Sequence, residues 1–392
     1  MIQMKTVRIK SIDIFRALTM LLMIFVNDLW SLTGIPVWLE HKAAHEDGMG
    51  LADVVFPAFL FIVGLSIPYA IKARINRGDS NIRILSHILE RSIALLVMGL
   101  FMVNLENIND SDLLINKYAW EILMALAFIL IWNNYQGKVF GKISENVMKL
   151  AGIVILVFLA VIYRGNSDNG YVWMRIHWWG ILGLIGWGYM ISAIIYLLLR
   201  DRPIWIALAC LVFYLLNINE FTSPFNFTLR IFVSASNYAS VMSGLLVASI
   251  LIKLQEKNRM NFLIPLLIGV AIILITFGFL TRPEWGISKI RATPSWTAIC
   301  AGISTISVVL LYILTDRLDI HKWANIIGPA GKSTLTCYLV PYIVYPIFAL
   351  TSFSLPVFMV TGMVGLLKSL LFALIIIWIT GGLNRLKINL KI

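Results

Sequence analysis

The run Leu51-Ala-Asp-Val-Val-Phe-Pro-Ala-Phe-Leu-Phe-Ile-Val-Gly-Leu-Ser-Ile-Pro-Tyr-Ala-Ile71 carries one charged side chain, Asp53, in its 21 residues. As a helix rising about 1.5 Å per residue it reaches about 30 Å, the hydrocarbon thickness of a bilayer. Asp53 falls at the helix start, where a carboxylate can cap free N–H groups, and Pro57 lies in the first turns, where a missing N–H is tolerated. The run reads as a membrane span. Similar runs lie near 13–33, 92–105, 118–134, 147–163, 178–199, 203–218, 237–254, 261–280, 294–315, 333–351 and 357–383. The prediction is an all-α, polytopic transmembrane helix bundle of about 10–12 spans.

Composition agrees. Of 392 residues 59% are hydrophobic and 13% charged, with a mean hydropathy of +0.86. Soluble domains hold roughly 45–50% apolar and about 25% charged residues. An ordinary soluble enzyme, a disordered chain and a nucleic-acid binder are excluded, despite a formal net charge of +12. No long hydrophilic stretch separates the runs, so residues 1–392 read as a single integral membrane domain. The first run carries Asp13, Arg16, Asn27 and Asp28, unlike the clean apolar core of a cleaved signal peptide, so it is expected to persist as a helix. Cys210, Cys300 and Cys337 lie within apolar runs without metal-ligand spacing, and no metal site is expected.

Basic residues set the orientation. If the N-terminus is cytoplasmic and every run crosses, 22 of the 32 Lys and Arg residues fall on the inner side and eight on the outer. Both termini are therefore expected in the cytoplasm, with the loop after the first span outside. The positive charge is a topology signal, and the bilayer is the expected surrounding.

Ionisable groups within spans are costly and mark functional sites or structural pairs. Asp13 and Arg16, three apart on one helical face, read as an internal pair or as part of a binding site. At the outer end come Asn27 and Asp28, then the loop Trp38-Leu-Glu-His-Lys-Ala-Ala-His-Glu-Asp-Gly48. Its His41 and His45, set among Glu40, Glu46 and Asp47, suit a general base or nucleophile, because imidazole beside a carboxylate exchanges protons near neutral pH. The stretch from Trp285 through Ser288, Lys289 and Arg291 offers cations for phosphate, carboxylate or lipid headgroups. Lys332, beside a helix start, is a further phosphate candidate, although Ile326 breaks the spacing of a phosphate-binding loop.

These motifs fall in a familiar order. Asp13-Ile-Phe-Arg16, the run ending in Val26-Asn27, the histidine loop and Ala52-Asp-Val-Val-Phe-Pro57 resemble the start of the heparan-α-glucosaminide N-acetyltransferase family and its bacterial transmembrane acyltransferase relatives. Pro294-Ser-Trp296 and Pro329-Ala-Gly331 resemble later landmarks. Ala17 replaces the family's Gly after Arg16. The resemblance implies transfer of acetyl from acetyl-CoA to the amine or hydroxyl of a sugar or glycan acceptor. It places the chain, by expectation, in a bacterial inner membrane, with a homodimer as one open arrangement. The family's reactive loop histidine matches His41; the loop is slightly longer here, so His45 is the alternative. Asn27 matches the family's Val-Asn position and would orient the imidazole or donate to an oxyanion, and Asp53 would set the tautomer. Asp13, Arg16, Trp285, Ser288, Lys289, Arg291 and Lys332 are the candidates for substrate or CoA. A multi-pass transporter of a sugar or amphipathic solute is the rival class, since many spans and an intramembrane Lys368 would also suit it.

The topology is open to a direct test. A Lys42→Cys variant in intact cells should react with an impermeant thiol reagent and Lys142→Cys should not. The opposite pattern would invert the orientation.

Overall fold

A peptide group in hydrocarbon finds no water, so helix is the local solution for a spanning segment. The computed structural model describes residues 9–135, 144–167, 170–222 and 230–392. Lys5, Arg8, Lys138 and Lys142 of the charge count lie outside them. In chain order come α1 (Lys10–Asp28), α2 (Leu51–Asn76), α3 (Asn81–Leu105), α4 (Lys117–Trp132) and α5 (Glu145–Ile162). A small antiparallel hairpin of β1 (Gly165–Ser167) and β2 (Gly170–Val172) follows. Then come α6 (Ile181–Leu199), α7 (Pro203–Thr222), α8 (Ala235–Glu256), α9 (Leu263–Trp285) and α10 (Pro294–Leu311). The chain continues through α11 (Gly328–Lys332), α12 (Thr334–Leu339), α13 (Pro341–Leu350) and α14 (Gly362–Arg385).

Among the described residues nine helices are long and apolar enough to cross a membrane: α2, α3, α5 to α10 and α14. The chain is a multi-pass helix bundle, as its sequence predicts. Three runs differ in detail. The 13–33 run is helical only to Asp28 and then tightens into a single turn, Leu29–Ser31. The 333–351 run breaks between α12 and α13, where Pro341 has no N–H to offer. The 92–105 run, conversely, begins at Asn81, because Ile84 and Ile88 bury one face of a segment that also carries Arg83, His87, Glu90 and Arg91.

Two compact units divide the chain. One comprises Met1–Met23, Trp38–Asp79 and Ser192–Lys332; the other comprises Ile24–Val37, Ser80–Ile191 and Ser333–Ile392. In the first, α2 packs along α8 and against α10, and α10 lies along α9. Lipid tails are as apolar as leucine, so close packing rather than hydrophobic exclusion holds such helices together. The α2–α8 contact is backbone on backbone. A Cβ at Gly64 would sit 1.8 Å from the Val241 carbonyl oxygen, and one at Gly244 would sit 1.9 Å from that of Phe61. Phe15, Phe61, Leu65, Val247, Leu251 and Val308 fill the space beside it. The many serines of α8 are accommodated because Ser240, Ser243 and Ser249 each donate to the carbonyl four residues back. In the second unit, buried Trp120, Phe128 and Tyr163 join α4 to its neighbours, and the Trp120 indole N–H donates to Leu159 O at 3.2 Å.

Gly64→Ala should lower detergent-solubilised stability by about 3 kcal/mol or more, because neither backbone can retreat alone. Gly269→Ala in α9, where a Cβ meets nothing within 4 Å, should be neutral or slightly stabilising. Thermal unfolding of the two variants checks this, and equal melting would refute the backbone contact.

Candidate functional site

The site is built at the start of α2, where four helix N–H groups need acceptors. The preceding loop folds back across that end: Leu51 N–H donates to Trp38 O at 2.8 Å and Ala52 N–H to Leu39 O at 3.2 Å. Gly50 makes the crossing feasible, since a Cβ there would lie 1.9 Å from the Glu40 carbonyl oxygen. Asp53, third residue of the helix and 1% exposed, then closes the end. Its Oδ2 accepts the backbone N–H groups of Gly50 and Lys42, each at 3.0 Å. Its other oxygen, Oδ1, is 2.7 Å from Nδ1 of His41, whose ring is 48% exposed. The Trp296 indole N–H donates to the Asp53 carbonyl at 3.2 Å and fixes this turn to α10.

Such an arrangement has a definite chemical capacity. A buried carboxylate on Nδ1 selects the tautomer with the proton there and leaves Nε2 as the basic nitrogen. A half-exposed imidazole so held can take a proton from a bound nucleophile or attack an acyl carbon itself.

Lys289 completes the group. Its Nζ lies 3.2 Å from Nδ1 and 3.5 Å from Nε2 of His41. Burial pushes its ammonium below the usual lysine range, and the Asp53 charge opposes that shift. The loop carrying Lys289 is braced locally, with Ser288 N–H on Thr293 Oγ1 at 3.1 Å and Thr293 capping α10. Hydrogen bonds at Asp47 and Gly48 strap it to the histidine loop. Asp47 accepts Arg282 Nε–H at 2.8 Å and Ile287 N–H at 2.7 Å, while Gly48 N–H donates to Ile287 O at 2.9 Å. Beneath lies an apolar floor of Ile287, Trp296, Ile299 and Cys300, with Met49 and Val54 against it.

Several candidates lie apart from this group. His45 is exposed and makes no contact with Asp53, so the carboxylate meets His41 of the two loop histidines. Ser288 is the exception: it joins the two loops, its hydroxyl donating to Ala44 O at 3.4 Å. Arg291 stacks over the Phe221 ring at 5.7 Å. Trp285 ends α9 with its indole N–H buried and unpartnered among the described residues. Arg16 pairs with Asp13 at 3.8 Å and donates to Ser66 Oγ at 2.8 Å. Ser66 is thirteen residues along α2 from Asp53, about 20 Å of helix. Lys332 is exposed at the end of the five-residue α11. Asn27 is exposed near the end of α1, in the second unit, without a hydrogen-bond partner among the described residues.

Its neighbour Asp28 carries a network that sequence reasoning passed over. Asp28 is 3% exposed and accepts from Tyr345 Oη at 2.6 Å, Lys368 Nζ at 2.7 Å and Ser369 Oγ at 2.6 Å. The signal was available as two opposite charges within apolar helices, each needing a partner. Among the described residues no cluster of three His, Cys, Asp or Glu is placed to hold a metal.

A family described as Domain of unknown function (DUF5009) matches residues 8–238. Two curated proteins, both named heparan-alpha-glucosaminide N-acetyltransferase, are similar over 97 residues. The one from Homo sapiens is 39% identical and the one from Mus musculus 37% identical. In each case the match covers 25% of this chain and 14% of the relative, so the chain spans about a seventh of their length.

The strap is pH-dependent in a stated sense. The Arg282 guanidinium and the Ile287 N–H hold the Asp47 carboxyl below its usual range. The strap is therefore fully present above the ordinary aspartate value, about 3.9, and is lost as pH falls through the lower folded value. Because the pair is exposed it is worth about 1 kcal/mol or less. Asp47→Asn should raise hydrogen exchange at the Gly48 and Ile287 amides by up to about fivefold at neutral pH and leave global unfolding nearly unchanged. Unchanged exchange at both amides would count against the strap.

Proposed function

The chain belongs to the DUF5009 family, and from that membership, the partial similarity to two named N-acetyltransferases and the His41 site we propose that it is a membrane-embedded acetyltransferase. The donor is acetyl-CoA and the acceptor is the amine or hydroxyl of a sugar or glycan. The single observation that carries the reading is the buried Asp53 carboxylate on Nδ1 of half-exposed His41. In this reading Asp53 fixes the tautomer and His41 Nε2 relieves the acceptor of its proton as it attacks the thioester carbonyl. A route through an acetyl-His41 intermediate uses the same nitrogen and is recognised by acetyl label on His41 in the absence of acceptor. The family resemblance and the charge asymmetry support a periplasmic face for this loop in a bacterial inner membrane.

The site needs little of the core to make it work, because the half-exposed imidazole contributes little packing. His41→Ala should abolish acetyl transfer from labelled acetyl-CoA to glucosamine while the protein still elutes as folded, its stability lowered by no more than the roughly 1–3 kcal/mol of an unpaired Asp53 oxygen. His45→Ala should keep most activity. Asp53→Asn should lose at least about 10²-fold, since an amide no longer fixes the ring proton. A folded, fully active His41→Ala variant would rule out the histidine mechanism, and an exchange of phenotypes between the two histidines would move it to His45.

A further inference from the structure

Thioester aminolysis leaves two protons to place: the acceptor loses one, and the departing thiolate needs one. His41 accounts for the first. Among the described residues the cation touching the imidazole is Lys289, with Nζ within 3.2–3.5 Å of both ring nitrogens. We propose that Lys289 is the general acid of the transfer, giving a proton to the thiolate sulfur and recovering one from His41 through their direct contact. This rests on the acetyltransferase reading above.

The step balances. The acceptor nitrogen or oxygen bonds to the carbonyl carbon while its proton passes to His41 Nε2. The C–S bond breaks with its electron pair on sulfur, and a proton from Lys289 Nζ moves to that sulfur, leaving a free thiol and a neutral amine. Imidazolium and amine are then in contact, and one proton passing from ring to Nζ restores both groups. Nothing is oxidised or reduced, and only thioester and acceptor are consumed. Two features of the site favour the order. Protonation of His41 beside an ammonium brings like charges together, which drives the lysine proton toward sulfur. Burial already weakens the hold of Lys289 on that proton. Asp53 is a negative charge that contacts His41 Nδ1 and opposes the effect of burial on Lys289. Lys289 thus acts at the reacting thioester, and phosphate binding falls to other cations.

Two variants of the full chain in detergent test this, with acetyl-CoA and glucosamine. Lys289→Met should lower kcat about 10²-fold with the Kd for acetyl-CoA changed less than about threefold, the size of a lost general acid. Lys289→Arg should be similarly slow, because a guanidinium keeps its charge but does not give up a proton. Recovery of kcat by Lys289→Arg would show that charge alone suffices and overturn proton donation. A weakened Kd with kcat retained in Lys289→Met would make Lys289 a phosphate-binding residue and overturn it as well. An active wild type matched by both variants sinks the inference alone. A folded wild type that never cleaves the thioester sinks the acetyltransferase reading and the inference with it.

Discussion

A carboxylate that is 1% exposed cannot be left to water, and the N-terminal end of α2 is organised around satisfying Asp53. Its two oxygens take up two backbone N–H groups and one imidazole nitrogen. The same contacts cap the helix, draw the histidine loop over its end and orient the ring. Structural and chemical roles are inseparable here. The cap reading of Asp53 and the catalytic reading are two descriptions of one set of hydrogen bonds. Removing the carboxylate would leave unpaired N–H groups as well as a free imidazole, so only a shape-preserving change isolates the chemistry.

Elsewhere the apolar surroundings impose the same accounting. The serines of α8 are silenced by bonds to their own helix, which lets a polar-looking sequence form the most buried span of the first unit. In the second unit Lys368 and Asp28 neutralise each other, with Tyr345 and Ser369 completing the carboxylate's partners. Such a network is satisfied internally. The His41 group differs in one respect: its imidazole is half-exposed, with Lys289 Nζ 3.5 Å from Nε2.

Loop geometry decides what the cations do. Lys289 and Arg291 are two residues apart, yet one lies on the imidazole and the other over a phenyl ring. Gly286, in the left-handed region at φ +68°, turns the chain at the end of α9, and the Asp47 strap then ties the loop to the histidine loop. Neither contact follows from residue type or spacing.

Length, hydropathy and the near absence of charge in runs such as 51–71 determined by themselves that the chain is a helix bundle built for a membrane, because hydrocarbon permits a spanning segment few other forms. The sequence also marked the histidine loop and the Asp53 segment as the places where costly groups gather, and their order carried the family resemblance. It left His41 and His45 as alternatives, since two residues of one kind in one loop differ only in where the backbone takes them. Tertiary structure placed Asp53 on His41, set Lys289 against the ring and paired Asp28 with Lys368 across 340 residues of chain. It also ended α1 at Asp28 and broke the last short span before Pro341. Local propensity and hydropathy act over one or two helical turns, whereas these pairings arise when separate helices bring distant charges into contact and bury them together.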